Sequence, residues 1–103
     1  MDHDERVGLA DLLRSVGHPM RIAILEHADE VGEVSPRAFT RSHQAPLATA
    51  SHHFRILARA GLIQLLRREP RRGAVEHFYV LSVPGRALLG WIRAAPRRSV
   101  AMS

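Results

Sequence analysis

The sequence predicts a mainly α-helical domain carrying one β-hairpin, on the strength of three observations. Apolar residues recur at helical spacing in several separate segments before Gly61. The period then changes from 3.6 to 2 in two runs, LIQLLRR and AVEHFYVL, separated by EPRRG with its Pro and Gly. Helical spacing returns after Val83. Four helices (α1–α4), a β-hairpin wing and a C-terminal helix (α5) follow one another as in a winged helix-turn-helix. At 103 residues, 46% of them apolar, the chain suits a single domain over 1–103, without repeat or linker.

Each element has its own signal. In α1, residues 6–16, Leu9, Leu12, Leu13 and Val16 fall at i, i+3, i+4 and i+7. Val7 and Ala10 widen that apolar surface and leave part of it for a partner, and Gly17 ends the helix. Pro19 suits the first turn of α2, residues 19–29, which buries Ile24, Leu25 and Ala28 and fades before Gly32. Ser35 followed by Pro36 starts α3, residues 36–41, the hydroxyl capping free amides and the proline presetting φ. The segment SHQAP breaks the pattern. In α4, residues 46–60, spacing resumes near Leu47 with Ala50, Phe54 and Leu57 inward, until Gly61. After the hairpin, α5, residues 83–95, opens with Pro84 and carries Leu88, Trp91, Ile92 and Ala95 on one side. Pro96 is expected to stop it, leaving 96–103 as a frayed tail.

Charge is segregated along the chain. All fifteen basic residues are arginine and the formal net charge is +5. Residues 1–34 hold eight acids against three arginines, and residues 35–103 hold twelve arginines against two acids, so −5 is followed by +10. Such an imbalance points to a polyanionic partner. Genomic base composition would explain arginine in place of lysine, but not the separation of sign.

Several functions are disfavoured by what the chain lacks. Without cysteine there is no disulfide, thiolate metal site or thiol nucleophile. No Gly-rich phosphate loop or HExxH pattern occurs, and the carboxylates concentrate in the acidic half, so the expectation is a non-enzyme. The opening MDHDER is acidic where a secretory signal needs positive charge, and no apolar run approaches membrane-spanning length. A cytoplasmic protein without membrane contact is expected.

The second of two helices joined by a short turn, if it exposes small polar and basic groups, can enter the major groove of double-stranded DNA. With Ala50, Phe54 and Leu57 inward, Thr49, Ser51, His52 and Arg55 face outward and can reach base edges or phosphates. At the hairpin tip Arg67, Arg68, Arg71 and Arg72 place four cations within six residues, suited to a phosphate backbone or a minor groove. Glu69 offsets one charge and can brace a neighbouring arginine. The competing reading of this tip is a solvated turn.

Seven histidines raise the question of a metal. A helical pair of ligands needs i, i+3 or i+4 spacing, and His52 and His53 diverge by about 100° around the axis. His52 is therefore expected outside and His53 packed, its ring nitrogens satisfied internally. His77 shares a strand face with Val75 and Tyr79, opposite Glu76, Phe78 and Val80, and reads as a packed imidazole. His18 can cap α2 or meet a partner chain. Trp91 either completes the core or anchors a dimer seam; the apolar surface of the flanking helices favours the seam.

The segments LRSVGHPMRIAIL, PLATASHHFRILARAGLI and RREPRRGAVEHFYVLS, in this order and spacing, resemble the ArsR-type winged-helix transcriptional regulators over about nine tenths of the chain. The resemblance implies a homodimer joined by its first and last helices, here through Val7, Ala10, Leu88, Trp91 and Ile92, each subunit offering α4 and its wing to one half of an inverted repeat. It implies base or phosphate contacts at Thr49, Ser51, His52 and Arg55, with the wing arginines on the backbone. Departures occur in the turn: His43 and Gln44 stand where an apolar residue and a glycine are common, and Ala50 replaces a larger aliphatic. The cysteines, and the Asp and His ligands of the last helix, through which many members sense metals are missing, so no metal and no cofactor is expected. The expected function is a homodimeric DNA-binding regulator, a repressor; the alternatives are a ligand- or metal-responsive sensor and a winged-helix protein-interaction module.

Overall fold

The computed structural model describes the backbone of residues 17–102 and the side chains of residues 17–94. The expected α1, with Val7 and Ala10, lies outside the described residues. Within them are four helices, α2 (Pro19–Val31), α3 (Pro36–His43), α4 (Leu47–Arg59) and α5 (Val83–Met102), and strands β1 (Glu33–Val34), β2 (Ile63–Arg71) and β3 (Ala74–Leu81). The strands form one antiparallel sheet in the order β1-β3-β2. The helix order and the hairpin agree with the sequence expectation; the two-residue β1 was not foreseen, being too short to show a period.

Helix starts follow their capping chemistry. At α2 the Nδ1 of His18 accepts from the Met20 amide at 3.1 Å, with Pro19 in the first turn. At α3 the Ser35 hydroxyl accepts from the Ala38 amide at 3.0 Å, ahead of Pro36. The α3–α4 turn keeps the left-handed conformation that a glycine would favour: Gln44 sits at φ 52°, ψ 40°, its amide bonded to the Thr40 carbonyl. His43 fills the usual apolar place by stacking on Phe39, ring centroids 4.1 Å apart.

The core lies where α2, α3 and α4 meet the sheet. Ile24, Leu25 and Ala28 of α2, Phe39 of α3, and Ala50, Phe54 and Leu57 of α4 are buried against Leu62, Ile63, Tyr79 and Leu81. Phe54 contacts Phe39 edge-on and Tyr79 at a tilt, with centroids 5.9 and 5.4 Å away. Ala50 is fully buried, so the small residue serves close approach of α4 to its neighbours.

Three expectations need correction. The strand β2 runs through Pro70 to Arg71, and the connection is Arg72–Gly73 alone, not EPRRG. Proline is tolerated there because β2 is the edge strand. Helix α5 continues past Pro96 to Met102: the missing proline N–H removes one bond of the ladder without ending it. Finally, the inward position of α5 is Leu89, flanked by Leu88 and Ile92, whereas Trp91 is 60% exposed.

The last helix is seated by close backbone approach. Ser82 donates its hydroxyl to the Gly61 carbonyl at 2.6 Å and accepts from the Gly85 amide at 3.0 Å. A side chain at Gly85 would drive its Cβ into the Leu62 carbonyl oxygen. Asp29 of α2 ties down the outer side, accepting from Arg86 at 2.8 Å and Arg93 at 3.1 Å.

Candidate nucleic-acid interface

The outward face of α4 follows from its buried one. With Ala50, His53, Phe54 and Leu57 turned inward, Thr49, His52 and Arg55 are exposed and Ser51 is half-buried. His53 is buried as expected: its Nδ1 accepts from Arg21 Nε at 3.0 Å, and its ring lies 4.4 Å from that of His18. Burial, then the nearby His18, Arg21 and His52, push the His53 pKa below its ordinary value of 6.5. A neutral ring that accepts from a guanidinium anchors the middle of α4 to the start of α2.

In the wing, a bulge decides which way each arginine points. Pairing runs Leu65 with Tyr79, then Arg67 with Phe78 and Arg68 with His77, so Leu66 is the extra residue. Arg67, Glu69 and Arg71 therefore share one face with Phe78 and Glu76, while Arg68 shares the other with His77 and Tyr79.

The first face is an ion-pair network. Arg67 bonds Glu33 and Glu69 and lies 4.3 Å from the centre of the Phe78 ring. Arg71 donates to Glu69 at 3.1 Å and, through Nε, to Glu76 at 2.8 Å. Glu76 is only 7% exposed and its other oxygen accepts from the Ser35 hydroxyl at 2.6 Å. The Ser35 hydroxyl, and after it Arg71, hold the Glu76 carboxyl below its ordinary value against the opposite effect of burial. Glu69 is lowered too, chiefly by Arg67.

Thus the four wing arginines divide. Arg67 and Arg71 are engaged in holding the wing's shape, and Arg71 reaches through Glu76 to the cap of α3. Arg68 and Arg72 are exposed and make no hydrogen bond or ion pair with the described residues. The sequence reading anticipated that Glu69 could brace an arginine but missed Glu76 and Ser35. The available signal was composition: the two acids of residues 35–103 are Glu69 and Glu76, and both bind Arg71.

Arg55 meets the second wing face. A cleft of about 230 Å³ between α4 and β3 is lined by Pro36, Ser51, Arg55, Val75, His77 and Tyr79. Burial raises the Tyr79 phenol above its ordinary value, while Arg55 and Arg68 act in the opposite direction. Elsewhere, no group of three or more His, Asp or Glu among the described residues could hold a metal ion. No described helix is long and apolar enough to cross a membrane.

No protein-family model and no curated protein matches the chain. Solved structures do. A possible transcriptional regulatory protein (fragment 1–100) from Mycobacterium bovis superposes with a TM-score of 0.73 at 21% identity, covering 87% of this chain and 91% of that one. Reduced HlyU from Vibrio cholerae gives 0.63 at 21% identity, with 87% and 90% covered. An ArsR family transcriptional regulator gives 0.62 at 18% identity, with 95% and 94% covered. The chain has the fold of these transcriptional regulators, the winged helix-turn-helix with the ArsR-type order of elements that its own motifs resemble.

Proposed function

We propose that the protein is a sequence-specific regulator of transcription that binds double-stranded DNA as a homodimer and represses, with α4 in the major groove and the wing on the backbone. The observation that carries this reading is the outward set Thr49, Ser51, His52 and Arg55 on a helix pinned from behind, beside a wing whose Arg68 and Arg72 have no ion pair among the described residues. Arg67 and Arg71 contribute positive field and hold the wing rigid; direct phosphate contact falls to the other two.

Association of two copies is assigned to α5, where Trp91 stands 60% exposed beside Leu88 and Ile92, together with the N-terminal segment that holds Val7 and Ala10. Replacing Trp91 by Ala should weaken self-association in sedimentation without lowering the melting temperature, since the ring is outside the core.

The test of DNA binding starts from a duplex selected out of a random pool. A dimer that neutralises about eight phosphates has a slope of log K against log salt near −7. In Arg55→Ala/Arg72→Ala the loss of up to four contacts per dimer should reduce it to roughly −3.5. A wild-type slope near zero, or a variant that binds as the wild type does, would defeat the proposal.

A further inference from the structure

We infer that the cleft between α4 and β3 is a phosphate seat that grips one group of the DNA backbone from the reading helix and the wing at once, an inference that rests on the DNA-binding reading above. The cleft is lined by Arg55 and Ser51 from α4 and by His77 and Tyr79 from β3, and Arg68 of β2 stands opposite His77 on the same face of the hairpin. The sequence marks neither His77 nor Tyr79 as an interface residue, and its alternation reads His77 as a packed imidazole.

Tyr79 is the central residue of the seat. It is 8% exposed, between the core ring of Phe54 and the cleft. Its hydroxyl makes no hydrogen bond with the described residues, yet no buried side-chain nitrogen or oxygen among them lacks a partner. The hydroxyl therefore reaches solvent, as the one polar atom of an otherwise buried side chain. Arg55 lines the same cleft, and Arg68 shares the strand face of Tyr79 through its pairing with His77. Neither arginine has a carboxylate partner among the described residues, whereas Arg67 and Arg71 on the opposite wing face are both paired.

A hydroxyl donor that shares its cleft with one unpaired guanidinium and its hairpin face with a second, with an imidazole and Ser51 on the same walls, matches a tetrahedral anion with several acceptor oxygens. A volume of about 230 Å³ has room for several waters, hence for a phosphate group. The groove continues into a second cleft of about 100 Å³ lined by Arg37 and Glu76. Glu76 would repel an anion there, but its oxygens are taken by Ser35 and Arg71, and the seat lies at the Tyr79 end. One phosphate bound by α4 and β3 together would set the wing's position on the duplex relative to the reading helix.

The same chemistry could come from free phosphate, and the test separates the two sources. In Arg68→Ala/Tyr79→Phe, affinity for the selected duplex and for an unrelated one should fall by a similar factor, about tenfold or more, because a backbone contact carries no sequence information. The salt slope should lose about 1 to 2 per dimer. Tyr79→Phe removes only a solvent-reaching hydroxyl, so the melting temperature checks that the fold is intact. Neutral methylphosphonates placed singly along the selected duplex should weaken wild-type binding at one position in each half-site that no longer matters to the double variant. A steep wild-type slope that persists unaltered in the double variant overturns the seat and leaves the DNA reading standing. Absence of salt-dependent binding by the wild type overturns both. Saturable micromolar binding of orthophosphate without DNA, with shifts confined to Arg55, Arg68, His77 and Tyr79, overturns the backbone source in favour of a free anion.

Discussion

Replacing Glu76 should uncouple the wing from the helix-turn-helix, and the size of the effect follows from its contacts. Its carboxylate is 7% exposed and accepts two charge-assisted hydrogen bonds, from Ser35 at 2.6 Å and Arg71 at 2.8 Å. Removing one partner of a buried pair costs about 3–5 kcal/mol when the other is left uncompensated. Arg71 is half exposed and keeps Glu69, and Ser35 keeps the Ala38 amide, so Glu76→Ala belongs at the low end, about 3 kcal/mol. For a domain of this size that is a fall in melting temperature of roughly 12 °C or more. Glu76→Gln retains shape and an acceptor for Ser35 but loses the charge on Arg71, for about 1–1.5 kcal/mol. Urea unfolding measures both. The folded pKa of Glu76 is depressed, so its contribution is full above the ordinary value of 4.5 and is lost as pH falls through the folded value. The gap between wild type and Glu76→Gln should accordingly be constant from pH 8 to about pH 5 and close below it. A gap under about 0.3 kcal/mol at pH 7, or one unchanged at pH 3.5, would refute the reasoning.

Two other perturbations address the supports of α4 and α5. Because the pKa of His53 is lowered from 6.5, the neutral ring contributes stability above that pH which is lost as pH falls through the folded value; His53→Phe, though less stable at pH 8, should show a flatter urea midpoint between pH 6.5 and 5, and parallel curves would contradict this. Gly85→Ala sets a methyl against the Leu62 carbonyl oxygen and the Leu81 side chain, so it should cost about 3 kcal/mol or more in thermal unfolding. A melting temperature within a few degrees of wild type would mean that α5 can shift away from the α4–β2 turn without loss.

Much of the fold was readable because it depends on local chemistry. Ser35-Pro36, His18-Pro19 and Gly61 mark helix ends through capping and φ preference, which act within a few residues. The inward residues of α4 followed from the 3.6 period alone. In α5 the same periodicity missed by one residue: the sequence around Leu88 and Leu89 is apolar on neighbouring positions, and the close contact at Gly85 selects Leu89. The site was legible as a list of outward groups on α4 and cations in the wing. It was not legible as an arrangement.

On its own, the sequence determined the succession of helices and hairpin, the polar face of α4 and the excess of positive charge after residue 35, because periodicity, caps and composition are properties of the chain. Which arginines remain available was decided only in the tertiary structure. Simple alternation from Leu65 would have set Arg67 beside Tyr79. The bulge at Leu66 inverts that phase, turning Arg68 onto the face of His77 and Tyr79, and Arg67 and Arg71 toward Glu33, Glu69 and Glu76. An extra residue in one strand has meaning only relative to the partner it fails to pair with, and the carboxylates that claim Arg67 and Arg71 come from three separate places in the chain.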